Sequence, residues 1–419
     1  MTYLKFITSA FFLACCWTLQ AQDISLDSCY AMARRNFPLV KQYALLDKSL
    51  GYSVSNANKG YLPQLTIAGQ ATYQSDVTKI PVALPGLSVQ ELSKDQYRVY
   101  GEVSQPITDL FTIDAQKDLL KANQQVEKEK LGVELYKLRE RVNQIYFAVL
   151  LIDGQLVQNN FLKKDLEAGL ARATIAIQNG VGLKVNADML EAELIKLGQK
   201  TTELQVLRDG YADMLSLLIG LPLTSGSRLE TPAARSMAST VNRPEQRLFE
   251  LQKTSLETQV RLINARNLPR LSLFFQGGYG RPALNMLSND FKGYYIAGAR
   301  LNWNLNGLLT MRTDKKMLFL SQGFIDSQQE VFLFNTRLVL RQQQADQDKI
   351  SELIVKDRQI VALRERITAS SKTQLDQGTA TATDYITQLN AEDQARQNLI
   401  LHQIQLLQAQ YNYAATSGN

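Results

Sequence analysis

Residues 131–156 read LGVELYKLRERVNQIYFAVLLIDGQL, and their apolar spacing sets the architecture. Leu131, Leu135, Leu138, Val142, Ile145, Val149, Ile152 and Leu156 alternate steps of four and three, a heptad seam sustained over more than three heptads. Such a seam belongs to a helix that packs against another along its whole length. Taken as one helix, Leu110–Gln178 would run roughly 100 Å at the usual helical rise, and few globular domains need such a rod. On this stretch alone, a coiled-coil stalk or a long bundle helix explains the pattern.

The prolines show how far this regime extends. All ten fall within residues 38–106, 222–244 and 269–282. Proline breaks helix interiors, so the two proline-free stretches, 107–221 and 283–419, are where long helices are allowed. The proline-rich regions follow a different period. Leu65, Ile67, Gly69, Ala71 and Tyr73 alternate with Thr66, Ala68, Gln70 and Thr72, and Tyr97, Val99, Gly101 and Val103 alternate with Arg98, Tyr100, Glu102 and Ser104. That is the strand signal, at a length that crosses a bilayer when tilted. Residues 74–96 between them, with Pro81, Pro85 and Gly86, read as a loop.

The chain repeats itself. Asn36-Phe37-Pro38 recurs as Asn242-Arg243-Pro244, and Leu62-Pro63-Gln64-Leu65 as Leu268-Pro269-Arg270-Leu271, both at an offset of 206. Val103-Ser104-Gln105-Pro106-Ile107 recurs as Leu301-Asn302-Trp303-Asn304-Leu305 at 198, and the length change falls in the loop between strands. Gly182 and Asp188 pair with Gly378 and Asp384 at 196. Each half reads helix, strand, loop, strand, very long helix, tight turn, returning helix. The second half supplies strands Leu271–Tyr279 and Tyr295–Trp303. The domain division expected is residues 1–21 as a signal peptide, 22–231 as the first structural repeat and 232–419 as the second.

Four strands cannot close a barrel, for which about eight is the practical minimum. The strands therefore form a small sandwich in water, or several chains share one barrel. Tyr73, Tyr97, Tyr279, Tyr295 and Trp303 at strand ends resemble the aromatic girdle of a membrane barrel and favour the second arrangement. Export is consistent with this. Lys5 precedes an apolar run, Phe6–Trp17, too short to span a bilayer, and Thr18-Leu19-Gln20-Ala21 then ends on a small residue, which suits a secretory signal cleaved after Ala21. A lipid-modified Cys15 or Cys16 is the alternative, and Cys29 alone remains in the mature chain.

These elements in this order resemble the outer-membrane efflux protein (TolC-like) family. They are the two Asn-x-Pro and Leu-Pro-x-Leu elements, Gln105-Pro106-Ile107 after the second strand, and the glycine turns followed six residues later by aspartate. The resemblance covers essentially the whole mature chain, and departs from the family pattern at Asn304-Leu305. It implies an α+β fold: a trimeric outer-membrane β-barrel, four strands per chain, continued by a coiled-coil α-helical barrel into the periplasm. It implies a homotrimer in outer-membrane lipid that meets a periplasmic adaptor (membrane fusion) protein and, through it, an inner-membrane pump. The protein would then be the exit duct of a tripartite efflux or type I secretion system. The turns would carry adaptor contacts at Val181, Gly182, Leu183, Gly378 and Thr379. Asp188 and Asp384 would line the aperture, for which capping of a helix is the plainer account. The basic residue that the family often places two positions after the tip glycine is present as Lys184 and absent at Ala380.

Other classes find little support. A net charge of +6 over 419 residues, with no run of five basic residues, does not argue for nucleic acid. One histidine, His402, leaves no basis for a multi-histidine metal site, and it reads as a packed helix residue. Cys29 reads as small and buried, and Gly277-Gly278-Tyr279-Gly280 lies in a strand and is no phosphate loop. No nucleophile–base pair, cofactor motif or metal cluster is visible, so an enzyme is not expected and no cofactor is implied. The competing non-enzymatic reading is an exported coiled-coil scaffold without a pore.

Overall fold

A computed structural model describes residues 24–78, 92–224, 227–237 and 240–419. The signal segment 1–21, Cys15, Cys16, Pro81, Pro85 and Gly86 lie outside the described residues. Helices α1 (Leu26–Asn36) and α2 (Lys41–Asn58) lead into strands β1 (Gln64–Tyr73) and β2 (Asp95–Pro106). Helices α3 (Asp109–Tyr136), α4 (Leu138–Gln178) and α5 (Lys184–Ile219) complete the first half. The second half holds α6 (Pro244–Arg266), β3 (Arg270–Arg281), β4 (Lys292–Asn302), α7 (Asn306–Asp376) and α8 (Ala382–Ser417).

The chain divides into two compact units, each drawn from both halves of the sequence. One comprises Gln42–Lys130 and Glu245–Glu330; the other holds the described residues up to Lys41, with Leu131–Pro244 and Val331–Asn419. The first is the sheet unit. Among the described residues its four strands pair antiparallel in the order β1-β2-β3-β4, and both outer strands keep an unpaired edge. Pro63 and Pro269 stand immediately before β1 and β3, where proline ends the preceding helix and favours extended backbone. Helices α2, α3, α6 and the first part of α7 are joined by polar bridges, such as Lys128–Asp47 at 2.6 Å and Ser255 Oγ to Asn123 Oδ1 at 2.5 Å.

The second unit is helical and carries the heptad seam. The seam is not housed in one regular helix, as α3 and α4 meet at Lys137. That residue keeps right-handed helical angles (φ −60°, ψ −20°), so the seam continues through the junction. Val142, Ile145, Val149 and Ile152 are buried, and Leu156 is half-buried. Around Val142, Tyr146 and Leu150 gather Leu26 and Cys29 of α1, Leu215 of α5 and Tyr411 of α8. The Tyr146 hydroxyl lies 2.7 Å from the carbonyl oxygens of both Ile24 and Glu230. It thereby fastens the parallel bridge Ile24–Leu229 against the bundle.

The repeated Asn-x-Pro elements do the same work twice. Asn36 Nδ2 donates to the carbonyls of Leu217 (3.0 Å) and Leu218 (3.2 Å), the last turn of α5. That helix ends on Gly220 in left-handed backbone (φ 69°), against the Asn36 amide. In the second half, Asn242 N donates to Ser417 O at 2.6 Å and α8 ends on Gly418 (φ 91°), packed on the Asn242 carbonyl. A left-handed glycine closes each returning helix, satisfying carbonyls that would otherwise be bare.

Candidate functional site

Two tight turns reverse the long helices. The first joins α4 to α5 through Asn179-Gly180-Val181-Gly182-Leu183, and the second joins α7 to α8 through Gln377-Gly378-Thr379-Ala380-Thr381. Their hydrogen bonds superimpose at one offset. Val181 N and Gly182 N both donate to Ala176 O (3.0 and 2.9 Å), as Thr379 N and Ala380 N do to Gln374 O (2.9 and 3.3 Å). Gly180 and Gly378 hold the left-handed positions. The offset is therefore 198, the same as between the second strands. The pairing of Gly182 with Gly378 and of Asp188 with Asp384 at 196 is not the one the turns adopt. Geometrically, Gly182 matches Ala380, and Asp384 matches Asn186.

The expected tip residues differ in what they present. Val181 (83%) and Leu183 (68%) are among the most exposed large apolar side chains of the chain, and neither packs beneath the turn. Val185, which the sequence reading passed over, extends the same exposed apolar group. Gly182 is half-covered, and a Cβ there would lie 2.8 Å from Ile177 N, so the close backbone approach requires glycine. Gly378 and Thr379 are exposed and expose no large apolar group. Behind the turns, Leu162 and Leu166 of α4, Leu190 of α5 and Tyr385 and Leu389 of α8 form a second apolar cluster.

The two aspartates also separate. Asp384 is the N3 residue of a capping box. Its Oδ2 accepts from Thr381 N (3.0 Å), while Asp384 N donates to Thr381 Oγ1 (3.2 Å). The bonds from the Thr381 hydroxyl and backbone hold its carboxyl below the usual carboxylate range. Asp188, one turn into α5, is exposed and caps nothing. The Thr381-x-x-Asp384 spacing was a legible cap signature, whereas Leu183 starts α5 without a side-chain cap.

Between the two apolar clusters lies a polar layer. Gln158 donates to Asp393 Oδ1 at 2.9 Å, Gln397 to Asn159 Oδ1 at 3.2 Å, and Asn159 to Thr201 Oγ1 at 3.3 Å, linking α4, α5 and α8. Burial pushes the Asp393 carboxyl up. His402 Nδ1 meets Asp357 Oδ2 at 2.5 Å between α8 and α7, a packed pair with no third ligand beside it. Cys29 is fully buried, and burial pushes its thiol up to about 12.

The sheet has two unlike faces. Register places Leu65, Ile67, Val99, Val103, Leu273, Phe275 and Tyr295 on one face, with Tyr73, Tyr97 and Tyr279 toward its hairpin end. Trp303 follows in the same parity at the helix end, where its Nε1 donates to Asn267 O. This apolar face is open, with Ile67 78% and Leu65 72% exposed. The opposite face carries Thr66, Gln70, Arg98, Tyr100, Glu102, Ser104, Gln276 and Arg300. Among the described residues, no helix is long and apolar enough to cross a membrane.

No protein-family model and no curated protein matches the sequence. The fold matches solved structures closely. It aligns with CusC, whose structures concern folding and transmembrane channel formation, at a TM-score of 0.67 and 12% identity, covering 95% of this chain and 93% of that one. The outer membrane protein VceC of Vibrio cholerae aligns at 0.65 and 12% identity, over 94% and 96% of the two chains. The MtrE outer membrane channel of Neisseria gonorrhoeae, in an open state, aligns at 0.65 and 14% identity, over 94% and 89%. Over nearly its whole length, the chain has the TolC-like fold that its repeated motifs resemble.

Proposed function

We propose that this protein is the outer-membrane exit duct of a tripartite efflux or type I secretion system, non-enzymatic, with its helices extending into the periplasm. The observation that carries the reading is the sheet: one face apolar and open, the other polar, and both edges unpaired. In water such a sheet leaves large apolar side chains and two rows of backbone groups uncovered. Three copies edge to edge would close twelve strands around a polar lumen, with the apolar face and its tyrosines in lipid. Exposed Leu309, Leu320 and Phe324 on α7 offer further surface for neighbouring copies. The likeness in fold to channels of this kind supports the same reading.

The chain is, on this reading, a duplication of residues 22–231 and 232–419 behind a signal peptide. A periplasmic adaptor docks on Val181, Gly182, Leu183, Gly378 and Thr379, and couples the duct to an inner-membrane pump. The exposed apolar first tip supplies the greater part of that contact, because it has no core of its own to join. Asp188 and Asp384, repeated around the trimer, ring the inner aperture with carboxylates that attract cations and resist closure by mutual repulsion.

Single-channel conductance in a planar bilayer tests the duct. Wild type is expected to show small, cation-selective openings. Asp188→Asn is expected to enlarge them or lower their selectivity, and Asp384→Asn to do so less, because that carboxylate is engaged by Thr381. A conducting protein indifferent to both substitutions would leave Asp384 as a helix cap alone and Asp188 as an exposed residue with no part in the aperture. A protein that stays soluble without detergent and never conducts would be a scaffold.

A further inference from the structure

The register aligns two rows of residues on the polar face near the hairpin end of the sheet. Gln70, Arg98, Gly280 and Lys292 form one; Ala68, Tyr100, Gly278 and Tyr294 form the next. Strand β3 contributes glycine to both; side chains occupy the space at Gly278, and at Gly280 the Tyr97 carbonyl oxygen comes nearest, 2.5 Å from where a Cβ would stand, ahead of Arg98. A Cβ on Gly280 would sit 3.0 Å from Arg98 Cγ, and one on Gly278 would sit 2.7 Å from Tyr294 Cζ and 2.8 Å from Tyr100 Cβ. Arg98 thus lies over bare backbone from β2, and the Tyr294 ring does so from β4. The Tyr294 hydroxyl is shielded from solvent and makes no hydrogen bond within the chain, a donor left without a partner.

The charges around these rows are unevenly answered. Glu102, one row further along, accepts two bonds from Arg300 at 2.8 and 3.2 Å, a fork that neutralises it. Lys292 meets only the exposed Asp290, at 3.6 Å, a pair too solvated to quench its charge. No ion pair links Arg98 to any described residue. Among the described residues of this end of the polar face, Arg98 and Lys292 are the charges least answered, and they stand beside Tyr100 and Tyr294.

We propose that Arg98, Lys292, Tyr100 and Tyr294 form a binding layer for planar aromatic anions at the outward end of the duct. The cations attract the sulfonate or carboxylate of the solute, and its ring stacks on the rings of Tyr100 and Tyr294, the latter seated over Gly278. This rests on the reading of the polar face as the lumen, where three copies would set a basic, aromatic collar around the exit. Glycines in a strand also permit bending of a barrel wall, which needs neither arginine nor tyrosine.

The test is block of single-channel current by hydroxypyrene trisulfonate added on the outer side. Citrate serves as a non-aromatic anion of similar charge. Wild type is expected to be blocked by the dye at lower concentration than by citrate. Arg98→Gln with Lys292→Gln is expected to raise the half-blocking concentration of both at least tenfold. Tyr100→Leu with Tyr294→Leu is expected to raise that of the dye alone. A wild-type elution volume in detergent and a wild-type far-ultraviolet circular dichroism spectrum show that a variant is folded and assembled. Dye block absent in wild type, or unchanged in the arginine–lysine variant, overturns the layer while leaving the duct standing. If a variant fails to assemble, Arg98→Lys, which keeps the charge, and Arg98→Met are compared; equal block in the two overturns the proposal. A wild-type protein that never conducts removes the duct and the layer together.

Discussion

Gly180 and Gly378, 198 residues apart, hold the same left-handed backbone (φ 74° and 72°) at the same point of their two turns. In both, nothing lies within 4 Å of where a Cβ would stand, so the requirement is conformational and not one of space. Gly180→Ala should therefore cost about 1–2 kcal/mol locally. Hydrogen exchange of the amides at 176–186 should quicken by roughly tenfold or more, with the rest of α4 unchanged. Gly182→Ala should disturb the turn more, because its Cβ would meet the backbone of Ala176 and Ile177.

If an adaptor docks on the tips as proposed, Val181→Asp with Leu183→Asp should weaken its capture by at least tenfold, while Thr379→Asp has a smaller effect. Surface plasmon resonance with the purified adaptor ectodomain reads both. Equal losses at the two tips would mean that the apolar character of the first contributes nothing special.

Asp393 gives the bundle a pH dependence of definite sign. Its carboxyl is raised by burial, so the fold favours the protonated form. Stability from this group is full below the ordinary carboxylate value and declines as pH rises through the raised one. Asp393→Asn keeps an acceptor for Gln158 and removes the charge. It should raise the melting temperature at neutral pH and flatten its slope on the acid side, as scanning calorimetry in detergent would record.

Cys29 should be inert in the native protein. Burial pushes its thiol from 9.0 to about 12, leaving almost no thiolate at pH 8. Iodoacetamide should label it only after denaturation. Because only the unfolded chain ionises between those values, the contribution of Cys29 to stability should fall as pH rises from 9.0 toward 12.

Much of this was legible in the sequence because it rests on period. The strands announced themselves by alternation, and the apolar sets around Leu65, Val99, Phe275 and Ala297 do share one face. The heptads from Leu131 to Leu156 likewise predicted a packed helix, though not the irregularity at Lys137. What escaped was set by local geometry without a period. Two glycines near a turn look alike in sequence, and only the left-handed backbone tells Gly180 from Gly182, hence the offset of 196 in place of 198. Asp384 was recognised as acidic near a turn, but its bond to Thr381 decides what its charge is free to do. The gathering of Arg98, Tyr100, Tyr294 and Lys292 around Gly278 and Gly280 needs the register of three strands before it exists at all.

The order of the strands fixes how the sheet must come into being. Strands β1 and β2 are separated by residues 74–94, and β3 and β4 by residues 282–291, so each hairpin closes a far shorter stretch of chain than the central pairing does. The central pairing joins Tyr97 to Arg281, across α3, α4, α5 and α6. Closing so long an intervening chain is entropically slow, and it must wait until the second half has been delivered. Until then, two apolar hairpins stand apart with bare edges, the form most prone to pair with the wrong partner. Formation of the sheet is thus a race between one distant strand pairing and mispairing of the two bare hairpins.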